Sequence, residues 1–519
     1  MRFISHRLTA VTLVVLLTGL VSNFPSALAL DAPTVDPSLV PPDGAPGPDQ
    51  PMRQSNTCAR TVAVAEPNVA LPAPGFAMLD VSKAWQHSTG NGVSVAVIDT
   101  GVSPNRRLPV VPGGDYIMGG DGLADCDAHG TIVASLIAAA PHGSAMPAAV
   151  PATPAFPPPA GGPPVTGAAP PPGSPGPAPA SPAPSATDRT DPAPVAVSPA
   201  NPGAPDGVAG VAPHATVISI RQSSRAYEPQ NPGSGDFEAR RKAGTVATLS
   251  RAIVHAANQG AQVINVSVTA CVSSADPLDQ RAIGAAVWYA ATVKDAVIVA
   301  AAGNEGEDGC AQNPAFNPLD ADDPRDWRNV KTVSSPSWFA DYVLSVGAVD
   351  NTGAPLAKSL AGPWIGVAAP GVAIMGLSPQ TGNPVNAYPP VRPGEPNSPF
   401  WGTSFAAAYV SGVAALVRAK YPKLTARQVI NRILQTSHNP PRGVDNQVGY
   451  GVVDPVAALT FNVPPGDRAA PGAHMRVMTP APPPQPPDRR ARTIAMAFAG
   501  VVAVSVVLAA IVARARKAR

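Results

Sequence analysis

Proline limits what this chain can fold into more than any other residue. It fills 67 of 519 positions, against a usual share of about 5%, and it is concentrated in blocks. From Pro141 to Gly207, 22 of 67 residues are proline, with Ala, Gly and Ser between them. Proline offers no backbone N–H and fixes φ, so such a block joins neither a helix nor a sheet ladder. It reads as a PPII-like or disordered insertion. Leu30 to Pro51 and Asn462 to Asp488 share this composition and read as an extended arm and a linker. Taking residues 141–206 out of 81–462 leaves 316 residues for one folded unit, which suits a single large α/β domain.

Within that unit, short β-branched runs alternate with helical patterns. Val93 to Ile98, Thr216 to Ile220, Val263 to Val268, Val297 to Ala301 and Val343 to Val346 have the near-continuous apolar character of strands buried on both faces of a parallel sheet. Gly130 to Ala139, Val246 to Asn258 and Asp279 to Lys294 read as the helices between them. This order predicts a doubly wound, mostly parallel sheet with helices on both faces and right-handed crossovers.

The two ends set the compartment. Arg2, His6 and Arg7 precede the apolar run Leu8 to Val21, and Ala27-Leu28-Ala29 follows as a small-residue cleavage pattern, so residues 1–29 read as a secretory signal peptide. Thr493 to Val512 is an apolar stretch of 20 residues, enough to cross a hydrocarbon core of about 30 Å as a helix. The ARARKAR that follows suits a cytoplasmic side. The expected plan is a signal peptide 1–29, an N-terminal extension 30–80, and a folded α/β domain 81–462 with its insertion 141–206. A linker 463–492, a transmembrane helix 493–513 and a tail 514–519 complete it. The protein is expected in the cell membrane, crossing it once, with its body outside the cytoplasm. Lys plus Arg is 36 against 34 for Asp plus Glu, so no basic field points to nucleic acid.

Ligands of open α/β sheets bind at the carboxyl ends of the strands. Asp99 ends the first strand in VAVIDTGV, and Asn304 follows a later one in VIVAAAGNEG. His129 opens a helix in DAHGTIVASLIAA, and Ser404 opens another in GTSFAAAYVSG, where its hydroxyl also reads as a helix cap. Their chain order is Asp, His, Ser.

The segments VAVIDTGV, HGTIVAS, GVAPHATVISIRQ, AAGNEG, VAAPGV and GTSFAAAYVSGVAAL, in that order, resemble the successive signatures of subtilisin-like serine proteases, whose triad has this chain order. An arm bearing a cysteine, the phrase ISIRQSS and a proline-rich tail before one apolar helix resemble more closely the mycosins, membrane-anchored subtilases of type VII secretion systems. A serine hydroxyl needs a base, and imidazole, titrating at about 6.5, can serve near neutrality. The resemblance implies that His129 takes the proton of Ser404 while Asp99 orients and charge-stabilises the ring. Asn304 and the backbone N–H of Ser404 would then bind the oxyanion. It also implies an endopeptidase cleaving exported proteins, or a structural component of a secretion complex whose proteolysis is secondary. Secretion-complex subunits and the membrane would be partners, with no cofactor and no metal motif.

Two departures limit what the resemblance carries over. Val268 and Thr269 stand where many subtilases have small residues in the substrate-binding strand, so specificity is not transferable. The segment before Trp85 is too rich in proline to form the core of an inhibitory prodomain. The four cysteines, Cys58, Cys126, Cys271 and Cys310, lack C-x-x-C spacing and suit disulfides in an oxidising compartment. Cys271 and Cys310 follow strands expected to be neighbours. Pairing them leaves Cys58 with Cys126, one of three possible connectivities.

Overall fold

The computed structural model describes residues 30, 32–143, 146–150, 205–231, 237–275, 278–307, 309–314, 317, 319, 325–441, 443–469 and 490–517. The expected signal peptide, and most of the expected insertion and linker, lie outside the described residues.

Seven strands form the central sheet: β1 (Ser94–Asp99), β2 (Val110–Asp115), β3 (Thr216–Arg221), β4 (Val263–Val266), β5 (Val297–Ala301), β6 (Val343–Val349) and β7 (Ile365–Pro370). They lie in the order β7-β6-β5-β4-β1-β3-β2, and every neighbouring pair is parallel. Consecutive side chains of a strand point to opposite faces, and here both faces are apolar. Val95 and Val97 of β1 enter one core, with Val217, Val263, Val297 and Val299. Ala96 and Ile98 enter the other, with Ile218, Ile220, Ile264 and Ile298.

Helices cover both faces. The helices α1 (His129–Ala138) and α4 (Thr403–Lys420) pack into the first core, and α2 (Phe237–Asn258) and α3 (Arg281–Trp288) into the second. The doubly wound α/β fold expected from the strand pattern is present. Helix α4 is buried on all sides along almost its whole length, the property of a helix running through a core. Small residues make that possible. A Cβ on Gly412 would lie 2.5 Å from Cβ of Val211, so a larger residue there would push the helix off its neighbour.

Two sheet strands escape the sequence pattern. Strand β2 reads VVPGGD, a poor strand by composition, yet it sits on the sheet edge, where proline is tolerated. Strand β7, IGVAAP, is the opposite edge.

The N-terminal extension adds short pairings instead of a separate core. Met52–Gln54 pairs antiparallel with Tyr227–Pro229, and Val62 bridges Ala387. Asp43 reaches helix α2, accepting from Asn258 Nδ2 at 2.8 Å and lying 2.8 Å from His255 Nδ1.

The chain divides into one unit up to Ala473 and another from His474. The second contains helix α5 (Arg490–Lys517), with Val502, Val504, Val506, Val507, Leu508, Ile511 and Val512 exposed. Its described side chains begin only at Val502, and among the described residues no helix is long and apolar enough to cross a membrane. A spanning helix at 493–513 is therefore not shown by the fold.

Candidate active site

Asp99 is the last residue of β1 and is 1% exposed. Its Oδ1 accepts from the backbone N–H of Thr100 at 2.6 Å and lies 2.8 Å from Nδ1 of His129. Burial by itself would raise the Asp99 carboxyl, but the charge and hydrogen bond of His129 hold it below the usual carboxylate value. Burial likewise opposes charge on His129, yet the Asp99 carboxylate lifts the imidazole above its ordinary value. The pair thus favours an imidazolium facing a carboxylate, the state that forms when the ring takes a proton.

The turn before α1 aims the ring. Ala128 adopts left-handed φ of 65°, strained for a residue with a side chain, and His129 is the first residue of the helix. Gly130 lets helix and strand end meet. A Cβ there would lie 2.1 Å from the Gly101 carbonyl oxygen and 3.2 Å from Cβ of Asp99. Phe405, next to Ser404, stacks at a tilt on the His129 ring with 5.0 Å between centroids.

A second carboxylate supports this turn. Asp125 Oδ2 accepts from the backbone N–H and hydroxyl of Thr131 at 2.8 and 2.6 Å, and Oδ1 from the Thr100 hydroxyl at 2.9 Å and the Asp127 N–H at 3.1 Å. Thr100 Oγ1 in turn accepts from the Gly130 N–H at 2.9 Å. Burial pushes the Asp125 carboxyl up to about 6, although these hydrogen bonds favour the ion. The sequence reading passed over this residue. Its position four before His129, in DCDAHGT, was the available signal.

Ser404 is the second residue of α4 and is 6% exposed. The cap reading fails here, because the N-cap is Gly402 and no side chain caps the helix. The helix begins two residues too early for Ser404 to cap it. Its Oγ donates instead to the Ser267 carbonyl at 3.4 Å, so the hydroxyl is weakly held inside the cleft rather than committed to the helix end.

Asn304 lies just beyond β5 and is gripped by α4. Its Oδ1 accepts from the N–H and the hydroxyl of Thr403 at 3.0 and 3.1 Å. With the amide oxygen fixed, Nδ2 faces away from Thr403, where it donates to Glu307 Oε2 at 3.1 Å. Asp99, His129, Asn304 and Ser404 all line one cleft of about 750 Å³, large enough for a peptide segment. Asn56 to Arg60 of the N-terminal extension form part of its wall, as do Ser267 to Ala270, Tyr388 to Val391 and Ser398 to Trp401.

Two disulfides frame the cleft. Cys58 pairs with Cys126 and Cys271 with Cys310. The first fastens the extension beside Asp125, where Ala59 N–H also donates to the Cys126 carbonyl at 2.7 Å. The second ties the strand Ala270–Ser273 to the loop after Asn304. Among the described residues no group of three or more His, Cys, Asp or Glu could hold a metal ion.

The fold and this cleft define a serine peptidase of subtilisin-like architecture. The subtilase family matches residues 90–451. Mycosin-2 of Mycobacterium tuberculosis is 65% identical over 99% of this chain and 98% of its own length. The structure of the MycP3 protease from the type VII (ESX-3) secretion system matches with 44% identity and a TM-score of 0.69, covering 83% of this chain and 100% of that one. A chain in the structure of an intact ESX-5 inner membrane complex matches with 46% identity and a TM-score of 0.70 over 94% of this chain and 100% of its own. The protein belongs to the mycosins, a branch of the subtilase family, and is a serine endopeptidase.

Proposed function

We propose that Asp99, His129 and Ser404 act as a catalytic triad, with Asn304 and the backbone N–H of Ser404 as the oxyanion hole. The observation that carries this reading is the 2.8 Å contact between His129 Nδ1 and Asp99 Oδ1 in a cleft that also holds Ser404. The Ser404 hydroxyl leaves the Ser267 carbonyl, gives its proton to Nε2 of His129 and attacks the scissile carbonyl. The negative charge that develops meets Asn304 and the α4 N-terminus, where the helix dipole is favourable. His129 then hands the proton to the leaving amine, and water repeats the cycle on the acyl-enzyme.

The substrates are exported proteins, and the enzyme works in type VII secretion at the outer face of the membrane, held by a spanning helix at Thr493 to Val512. The relative in the ESX-5 inner membrane complex supports this setting, as do the apolar run and the exposed valines of α5. The same relative favours a second, structural role within the complex. Labelling with a fluorophosphonate probe tests the triad, because it should be lost in Ser404→Ala and His129→Ala while both variants remain folded. Secretion scored separately in Ser404→Ala then divides the two roles: loss of cleavage with secretion intact would favour the structural one.

A further inference from the structure

The amide offered to the oxyanion is already engaged by an anion. Asn304 Nδ2 donates to Glu307 Oε2 at 3.1 Å, and Thr403 locks the rest of the amide in place. An oxyanion forming beside Nδ2 would meet this carboxylate at close range, and like charges so near each other repel in a partly desolvated cleft. The same Oε2 lies 3.8 Å from Nη2 of Arg225. Arg225 stands on a different wall, where its backbone N–H donates to Asp127 Oδ1 at 2.8 Å. Glu307 and Arg225 both line the cleft that a substrate must enter, and their side chains are 40% and 79% exposed. That contact is weak enough for a substrate to break.

Taking the serine-protease reading as given, we propose that Glu307 determines specificity by gating the oxyanion hole. It selects substrates that bring a Lys or Arg side chain next to the scissile bond. Such a cation draws the carboxylate away from the Asn304 amide and neutralises it beside the developing charge. A neutral substrate leaves Glu307 on Asn304 and reacts slowly.

The test uses two fluorophosphonates on the purified full chain, one with a neutral alkyl arm and one whose arm ends in an ammonium group. With each, the bond from Ser404 Oγ to phosphorus forms and the P–F bond breaks. Fluoride leaves, and the hydroxyl proton passes to His129. Wild type should react about fivefold faster with the cationic probe, the effect of one exposed ion pair. Glu307→Gln and Glu307→Ala should lose that preference and take the neutral probe about as fast as wild type takes the cationic one. This gain should vanish when Asn304→Ala is added, because it passes through that amide. Unchanged rates and preference in both Glu307 variants would overturn the gate. No labelling of folded wild type by either probe would overturn the serine-protease reading and the gate with it.

Discussion

Thr403 holds Asn304 by two hydrogen bonds to a single oxygen, one from its backbone N–H at 3.0 Å and one from its hydroxyl at 3.1 Å. The residue before the proposed nucleophile thereby orients the proposed oxyanion donor, and one helix end positions both. The Thr403 hydroxyl also accepts from the Gly303 N–H at 3.1 Å, which ties the strand end to the helix.

Thr403→Val keeps the shape but removes the hydroxyl, leaving the buried Gly303 N–H unpaired and the Asn304 amide held by the backbone N–H alone. We expect kcat to fall about fivefold with KM little changed, since one hydrogen bond is worth about 1 kcal/mol and its loss acts on the transition state. Asn304→Ala should cost more, about 10²- to 10³-fold, a range measured for the equivalent amide in a subtilisin. Steady-state kinetics on a peptide substrate compares them, and a Thr403→Val loss equal to or greater than that of Asn304→Ala would contradict a supporting role.

The acid limb of activity should lie above the ordinary histidine value. As the proposed base, His129 can act only when neutral, and the Asp99 carboxylate raises its proton affinity, so kcat/KM should rise with pH through a point higher than about 6.5. Asp99→Asn removes that charge. The limb should move to lower pH while the rate drops steeply, by up to about 10⁴-fold. A pH–rate profile with the limb unmoved would separate His129 from Asp99.

Asp125 should be felt in stability as well as in rate. Its folded value is raised to about 6 from an ordinary 3.8, so the folded state binds the extra proton between those limits. The resulting stabilisation is fully present below about pH 4 and is lost as pH rises through about 6. The difference in unfolding free energy between wild type and Asp125→Asn should therefore be larger at pH 4 than at pH 7. Urea melts at the two pH values measure it, and a difference that grows with pH would show Asp125 ionised throughout.

Opening the Cys58–Cys126 bond should loosen the cleft wall. The bond spans 68 residues of sequence and holds Asn56 to Arg60 in the lining. Replacing both cysteines with serine should cost about 2–4 kcal/mol of stability and slow fluorophosphonate labelling below the melting transition. Melting curves and labelling rates, taken on the same samples, distinguish a lost wall from a lost fold.

Much of the fold was written locally. Five of the seven sheet strands are β-branched runs that can be read because burial on both faces requires unbroken apolar sequence. Strands β2 and β7 were not legible, since VVPGGD and IGVAAP owe their strand form to an edge position. Asp99, His129, Asn304 and Ser404 stood out because each sits at an element end within a motif. Their shared cleft, by contrast, is a product of the sheet order, which brings residues up to 305 positions apart to one edge.

What the chain determined by itself was the type and order of its elements and the chemistry of four side chains, all matters of local composition. Only the tertiary structure decided which hydrogen bonds those side chains make. It denied Ser404 the cap by starting α4 at Thr403, gave Asp125 four donors, and placed Glu307 on the Asn304 amide. Such contacts depend on distances between segments remote in sequence, and a distance of a few ångströms leaves no trace in the pattern of residues.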